Sequence, residues 1–225
     1  MPEVLVRAEG LSRLFGTGPG GVTAIEEATF EIEAGQCIAL VGPSGSGKST
    51  LLHLIAALDR PTAGTIDWPG LGPRDGLRPG PVAFAFQGPS LLPPLTVAEN
   101  VALPILLAGG DEGLAMRQAS DMLERLDLAA VADKLPEEIS GGQSQRAGIA
   151  RALVGNPRLI LADEPTGQQD GATGQRLMQV VRSSAEEAGA ALLVATHDPA
   201  VAERLDHRWS MTDRRLETGV VLRSA

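Results

Sequence analysis

The sequence has 225 residues, 43% of them hydrophobic, which is enough apolar material for a substantial core and argues against a disordered chain. Its formal net charge is −9, which argues against DNA or RNA as the main ligand, because binding to a phosphate backbone needs a basic surface. The lone cysteine, Cys37, excludes an internal disulfide, and its apolar neighbours indicate a small buried side chain.

The first third of the chain predicts short strands and one helix. Residues 4–8 and 28–32 have strand character, and residues 37–41 form a continuous apolar run typical of a strand buried on both faces. A glycine-rich turn follows, then a helix from residue 48 to about 58, which ends at Arg60-Pro61-Thr62. Residues 64–68 and 82–86 are predicted strands, separated by a Gly- and Pro-rich loop at 69–81.

The middle and end of the chain alternate between helices and strands. Residues 112–126 predict an amphipathic helix, and a second helix begins after residues 140–142. A strand at 159–162, a helix near 174–187 and a strand at 191–195 follow. This alternation predicts a parallel sheet with helices on both faces.

No segment predicts a leader or a membrane span. The first four residues lack a basic region followed by an apolar stretch, and no window reaches the roughly 18 uninterrupted apolar residues of a spanning helix. Residues 101–110 come nearest, but they are too few and include Pro104. We therefore expect a cytoplasmic chain that reaches a membrane only through a partner.

Residues 42–49 match G-x-x-x-x-G-K-[ST], the loop that binds nucleotide phosphates. The candidate phosphate-binding residues are Gly42, Pro43, Ser44, Gly45, Ser46, Gly47, Lys48, Ser49 and the adjoining Thr50. Glycines let backbone N–H groups point at phosphates, and a helix beginning at Lys48 adds its positive end. Lys48 would supply a compact charge to the terminal phosphates, and Ser49 would ligate Mg²⁺. The plain alternative is a glycine-rich turn between a strand and a helix.

Two further motifs follow in the order expected for a nucleotide hydrolase. The strand at 159–162 ends in Asp163, which can hold the Mg²⁺ shell, and Glu164, which can act as general base on a water. Between this strand and the phosphate loop lies a second glycine-rich helix start, Ser140-Gly141-Gly142-Gln143. The plain interpretation of that segment is an ordinary helix N-cap formed by Ser140.

With these motifs in this order, the chain resembles the ATP-binding-cassette ATPases over essentially its whole length. The resemblance implies an α/β fold: a phosphate-loop NTPase (RecA-like) core with a parallel sheet, an N-terminal antiparallel β subdomain and an inserted α-helical subdomain. It implies one ATPase domain over residues 1–225, in which residues of about 89–156 form the helical subdomain. The implied ligands are ATP and Mg²⁺.

The resemblance also implies roles for single residues. Gln87 resembles the glutamine that senses Mg²⁺ and a membrane partner, and His197 resembles the histidine that holds the γ-phosphate and the attacking water. Phe15 resembles the aromatic residue that stacks on adenine. The plain alternatives are a structural histidine and a core phenylalanine. His53 and His207 match no motif.

Two other segments imply a dimer, either a homodimer or a pair with a related subunit. Residues 140–143 resemble the signature motif, which contacts the γ-phosphate of ATP held by the opposite subunit. Asp170 resembles the D-loop aspartate at the dimer seam.

Residues 87–101 and 162–167 resemble the lipoprotein-release and macrolide-export branch of the family, which predicts export or mechanotransmission through a membrane permease. The permease would bind around residues 87–107, a leucine-rich stretch whose plain interpretation is helical-subdomain core. Two features depart from that branch: Gln168-Gln169 replaces the usual Asn-Leu of the D-loop, and the Gly/Pro-rich stretch 68–81 replaces a charged helix.

A soluble assembly factor, like the cassette ATPase of iron–sulfur cluster biogenesis, is the alternative function. DNA-repair and chromosome ATPases insert long coiled coils between the phosphate loop and the signature, and this chain has no sustained heptads there. Translation-factor cassettes carry two copies of the motifs, whereas this chain carries one.

Overall fold

The computed structural model describes residues 2–16 and 20–219. Residues 1, 17–19 and 220–225, which are part of the predicted 1–225 domain, lie outside this range. The chain divides into two compact units. We call Met1–Leu77 with Ala191–Ala225 the terminal unit, and Arg78–Ala190 the central unit.

Strands and helices alternate along most of the described chain. In chain order the elements are β1 (Val4–Phe15), β2 (Val22–Glu33), β3 (Cys37–Val41), α1 (Lys48–Ile55), β4 (Ala63–Asp67), β5 (Val82–Ala85), α2 (Val97–Leu107), α3 (Glu112–Arg125), α4 (Gly141–Leu153), β6 (Leu159–Asp163), α5 (Gly171–Ala188), β7 (Ala191–Thr196), α6 (Pro199–Ala202), β8 (His207–Thr212) and β9 (Arg215–Glu217). Short 3₁₀ turns lie at Arg74–Gly76, Ala129–Val131 and Pro136–Glu138.

The terminal unit contains an antiparallel sheet of order β2-β1-β4. Strands β1 and β2 are much longer than the predicted segments 4–8 and 28–32. The ladder between them shifts register at several points, including the step from Ala8 to Leu11, where Gly10 has a positive φ of 56°. Such bulges interrupt the alternation of polar and apolar residues. The segment with regular alternation is therefore shorter than the strand itself.

The terminal unit also holds parallel strands around β3. Strand β3 pairs in parallel with β7 on one side and β8 on the other, and β9 adds to β8 in antiparallel orientation. Cys37 is buried, as expected. Helix α1 stops at Ile55, earlier than predicted, because Ala57 turns left-handed at φ 56° and the Leu58 N–H bonds back to the His53 carbonyl.

The central unit pairs β5 with β6 in parallel, from Val82 opposite Leu159 to Ala85 opposite Ala162. Helices α3, α4 and α5 lie where the sequence predicts helices, and α2 was not predicted as a helix. A capping box between Thr96 and Glu99 starts α2 despite Pro104 inside it. None of the described helices combines the length and the apolar character that crossing a membrane requires.

The structure therefore confirms the predicted fold class: a mixed α/β protein with an antiparallel sheet near the N-terminus and mostly parallel strands elsewhere.

Candidate functional site

The phosphate loop lies in the terminal unit, between the carboxyl end of β3 and the start of α1. Its backbone leaves no room for side chains at two glycines. A Cβ at Gly42 would lie 2.3 Å from the Met211 carbonyl oxygen, and one at Gly47 would lie 2.3 Å from that of Ala24. Gly47 also has a φ of 106°, which strongly favours glycine. The loop is therefore held against β8 and β2 in a conformation that only glycines permit.

The charged groups of the loop fit a polyphosphate. The Lys48 ammonium is buried and donates to the carbonyl oxygens of Gly42, at 2.8 Å, and Pro43, at 3.1 Å. Helix α1 has no acidic residue in its first turn, so its free N–H groups face no competing anion of their own helix. Ser46 Oγ is buried and has no hydrogen-bond partner among the described residues. The Lys48 ammonium, the first N–H groups of α1 and the Ser46 hydroxyl are therefore the groups that could donate hydrogen bonds to an anionic ligand.

His197 lies at the same end of the parallel strands as the phosphate loop. Val41 of β3 pairs with Thr196 of β7, so Gly42 and His197 each follow the last residue of neighbouring strands. Thr196 Oγ1 accepts from the Asp198 N–H at 3.0 Å, and the Asp198 carboxylate caps α6. The exposed His197 is thus held in a tight turn near the start of the phosphate loop.

Phe15 is the last residue of β1 and pairs with Val22, near the part of β2 that backs the phosphate loop. Its side chain is 42% exposed, which excludes the core interpretation. The Arg13 guanidinium lies 4.2 Å from the ring centroid and is itself paired with Asp59 at 2.7 Å. A cation on the ring orients an aromatic surface on which a flat base can stack.

The two carboxylates lie in the central unit. Strand β6 is buried throughout and ends at Asp163, and Glu164 follows; both side chains are less than a tenth exposed. Glu164 has a positive φ of 47°, which is uncommon outside glycine. Since β5 and β6 are parallel and Ala85 lies opposite Ala162, the exposed Gln87 follows β5 at the edge where Asp163 and Glu164 follow β6.

The signature segment starts α4 of the central unit. Ser140 is the N-cap: its hydroxyl accepts from the Gln143 N–H at 3.2 Å, and the Gln143 side chain accepts from the Ser140 N–H at 2.8 Å. The structure therefore shows the capping role that the plain interpretation assigns to Ser140. Gly141 and Gly142 follow in the first turn, where no acidic residue lies. The positive helix end remains able to meet a phosphate.

Asp170 caps the next helix, α5. Its carboxylate accepts from the Thr173 backbone N–H at 2.9 Å and from the Thr173 hydroxyl at 2.8 Å. These hydrogen bonds hold the pKa of the exposed Asp170 carboxyl below its usual value. Asp170 is therefore ionised at neutral pH and helps to fix the loop before α5.

One buried residue of this region was not predicted from the sequence to contribute to the site. Gln145 is buried in α4, and its amide donates to the Glu164 carbonyl oxygen at 3.1 Å. Its oxygen accepts from the Gln168 N–H and from the Gln169 side chain. Apart from Ser144 and Gln145, the buried residues of α4 are apolar or glycine, so a buried amide is the local signal for such a residue, and it does not reveal the partner.

The sequence matches the ABC transporter family over residues 25–167, which is more than half of the chain. The chain belongs to the ABC transporter family. As a member of the family it binds ATP and is an ATPase, and it corresponds to the ATP-binding subunit of a transporter.

Curated relatives of this family extend over nearly the whole chain. The lipoprotein-releasing system ATP-binding protein LolD of Gluconobacter oxydans is 42% identical over 218 residues, which cover 94% of each chain. LolD of Shewanella oneidensis is 37% identical over 224 residues, covering 96% of this chain and 97% of the relative.

A solved ABC structure has the same fold. A dimeric ATP-binding cassette in a post-hydrolysis state, bound to ADP and Pi, superposes with a TM-score of 0.90 at 33% identity and covers 98% of this chain and 100% of that one. A second solved structure, a dimeric bacterial ABC transporter cassette, matches equally well, with a TM-score of 0.90 and 33% identity.

Proposed function

We propose that the chain is the ATP-hydrolysing subunit of a lipoprotein-releasing export system and drives conformational change in a membrane permease. The observation that carries the proposal is the similarity to LolD along nearly the full length of both chains. The chain would lie in the cytoplasm, bound to the inner face of the membrane through the permease. No observation favours the soluble assembly factor.

In this proposal the terminal unit binds the nucleotide. Residues 42–50 surround the phosphates, with Lys48 as the point charge on the terminal ones and Phe15 against adenine. Three observations support this assignment: Lys48 is buried, the Phe15 ring is exposed, and the Ser46 hydroxyl has no hydrogen-bond partner within residues 2–16 and 20–219.

Mg²⁺ would be held by oxygen atoms of Ser49, Asp163 and Gln87, together with ATP. The part of the chain that the structure describes has no group of three or more His, Cys, Asp or Glu side chains able to hold a metal. Such side chains alone therefore do not form a metal site there. This donor set suits Mg²⁺, which typically takes one or two carboxylates plus substrate phosphates and water. When bound, Mg²⁺ would neutralise phosphate charge.

Glu164 is proposed as the general base and His197 as the residue that orients the γ-phosphate and the attacking water. Glu164 would accept a proton from that water as its oxygen attacks the γ-phosphorus, and ADP would leave. Gln87 would report the state of the site to the permease. The burial of Glu164 and the position of His197 directly after β7, which pairs with the strand before the phosphate loop, support these roles.

Hydrolysis would require two copies of the chain around two ATP molecules. The signature residues Ser140, Gly141, Gly142 and Gln143 would contact the γ-phosphate held by the partner copy, and Asp170 would lie at the seam. The positive end of α4, whose first turn carries no acidic residue, and the dimeric state of both solved relatives support this arrangement. Residues 89–156, which contain α2, α3 and α4, would form the helical subdomain.

The permease would bind an apolar groove of the central unit. The groove has a volume of about 510 Å³ and is lined by Phe84, Phe86, Leu92, Leu103, Leu107 and others, with the arginines Arg78 and Arg151 also in its wall. Three of the apolar side chains are exposed: Phe86 at 39%, Leu92 at 43% and Leu107 at 64%. Phe86, which lines the groove, directly precedes Gln87 in the chain. Burial lowers the pKa of Arg151, which reflects the cost of its desolvated charge. The expected occupant is therefore a permease segment that carries both leucine-like and carboxylate side chains.

Co-purification tests this proposal. The tagged chain should retain a membrane-spanning protein in detergent, and Leu107→Lys should weaken that association by about 10- to 150-fold, because a leucine buried at an interface contributes roughly 1.5–3 kcal/mol. Leu114→Lys, at an exposed leucine of α3 outside the groove, is the matched control. Retention of a soluble scaffold instead, or equal retention by both variants, would contradict the proposal.

A further inference from the structure

The backbone of Glu164 is anchored from two sides. Its carbonyl oxygen accepts from the Gln145 side-chain amide at 3.1 Å and from the Gly167 N–H at 3.1 Å. Gln145 and Glu164 are 5% and 8% exposed, so water does not compete freely for these bonds. A left-handed conformation at a residue other than glycine persists only where its surroundings hold it. Gln145, which lies in helix α4, is one part of those surroundings.

The same amide also holds the far end of the loop after Glu164. Gln145 Oε1 accepts from the Gln168 backbone N–H at 3.1 Å and from Gln169 Nε2 at 2.9 Å. One buried side chain therefore bonds to both ends of the segment 164–169. A polar group that is satisfied in this way specifies a single arrangement, because any other leaves buried donors or acceptors unpaired.

Gln169 extends this network to the signature segment. Its Nε2 donates to the Gly142 carbonyl oxygen at 2.9 Å, and its Oε1 accepts from Arg146 at 3.3 Å. The glycines touch the same loop: a Cβ at Gly142 would lie 3.2 Å from the Gln168 carbonyl oxygen. The leucine usual at position 169 in this branch could make none of these hydrogen bonds.

We propose that Gln145 is a positioning residue for Glu164 and that Gln169 links this positioning to the start of the signature helix. The proposal rests on the proposed function, in which Glu164 is the general base and the signature contacts phosphate. Fixing the start of α4 on a phosphate fixes Gly142, Gln169 and Gln145, and through them the direction of the Glu164 side chain. Contact of the signature with a phosphate would thus reinforce the alignment of the carboxylate with water.

The test separates positioning from general stability. Gln145→Met keeps the volume and removes the amide, so kcat for ATP should fall by about 10- to 100-fold, as expected when a reacting group is displaced by about 1 Å. The KM for ATP should change by less than about 2-fold, because the phosphate-binding residues are untouched. Gln179→Met, at an exposed glutamine of α5, is the matched control and should leave both constants unchanged.

A double variant gives a second readout. If Gln145 acts through Glu164, adding Gln145→Met to Glu164→Gln should lower the residual rate by less than about 2-fold, since the group being positioned is already lost. An independent role would lower that rate by the full factor seen in the single variant, and this result overturns the proposal.

The remaining outcomes are also decisive. A folded Gln145→Met chain with unchanged kcat overturns the proposal. If circular dichroism shows that this variant does not fold, Gln169→Leu carries the test: its kcat should fall by about 3- to 10-fold, the effect of losing part of the network, and an unchanged kcat overturns the proposal. These failures differ from failure of the proposed function, in which Glu164→Gln itself would hydrolyse ATP normally.

Discussion

Replacing Lys48 by alanine should weaken ATP binding and leave the fold intact. In the structure the ammonium is already satisfied by the Gly42 and Pro43 carbonyl oxygens at 2.8 and 3.1 Å. ATP must compete with these bonds, so the variant loses about one charge-assisted hydrogen bond, roughly 1.5–3 kcal/mol, and not a full ion pair in a low-dielectric medium. At 1.4 kcal/mol per tenfold change, ATP affinity should fall by about 10- to 150-fold.

Isothermal titration calorimetry of the whole chain with ATP and Mg²⁺ measures this change directly. Lys134→Ala is the matched control, because Lys134 is the other lysine of the sequence and is exposed. The melting temperature without nucleotide should stay close to that of the unmodified chain, since the close approach of Gly42 to Met211 and of Gly47 to Ala24 is unchanged. Equal ATP affinity in Lys48→Ala and Lys134→Ala would refute the role assigned to Lys48.

Two further predictions concern hydrolysis. Glu164→Gln should bind ATP yet hydrolyse it about 10²- to 10⁴-fold more slowly, the usual effect of removing a general base, and should accumulate as an ATP-bound dimer; near-normal turnover by purified protein would reject this role. Chains carrying Lys48→Ala or Ser140→Arg should each be inactive, and their mixture should regain part of the ATPase activity, because one site of a mixed dimer carries both lesions and the other neither. Full activity of Ser140→Arg alone would reject the signature assignment. If the mixture stays inactive although mixed dimers form, counting bound ATP per dimer separates a requirement for two intact sites from unshared sites.

Local spacing was enough to predict the core elements of the fold. The bounds of the strand at Cys37–Val41 and of helix α3 were predicted to within a residue or two. A continuous apolar run and a helical period both depend only on residues that are close together in the sequence. The order of the phosphate loop, the signature and the acidic strand could likewise be predicted. Each motif is a short segment, and its backbone conformation and its charge depend on neighbouring residues.

Elements that depend on distant pairing were missed or shortened. Strands β8 and β9 lacked a clear pattern, and they are strands because β8 pairs with β3. The length of β1 and β2 follows from their bulged ladder, which tolerates breaks in alternation. Helix α2 was obscured by Pro104, and its start is fixed by the Thr96–Glu99 capping box and by Asn100, whose buried amide bonds to the loop before the helix.

The sequence by itself determined which residues could bind phosphate and supply a base, because glycine, lysine and carboxylate at fixed spacing have few other uses after a buried strand. The tertiary structure alone decided what surrounds them. Gly47 must be glycine because the carbonyl of Ala24 lies against it, and the carbonyl of the left-handed Glu164 accepts a hydrogen bond from Gln145 of helix α4. Such contacts join residues far apart in the chain, and they arise only when the elements pack.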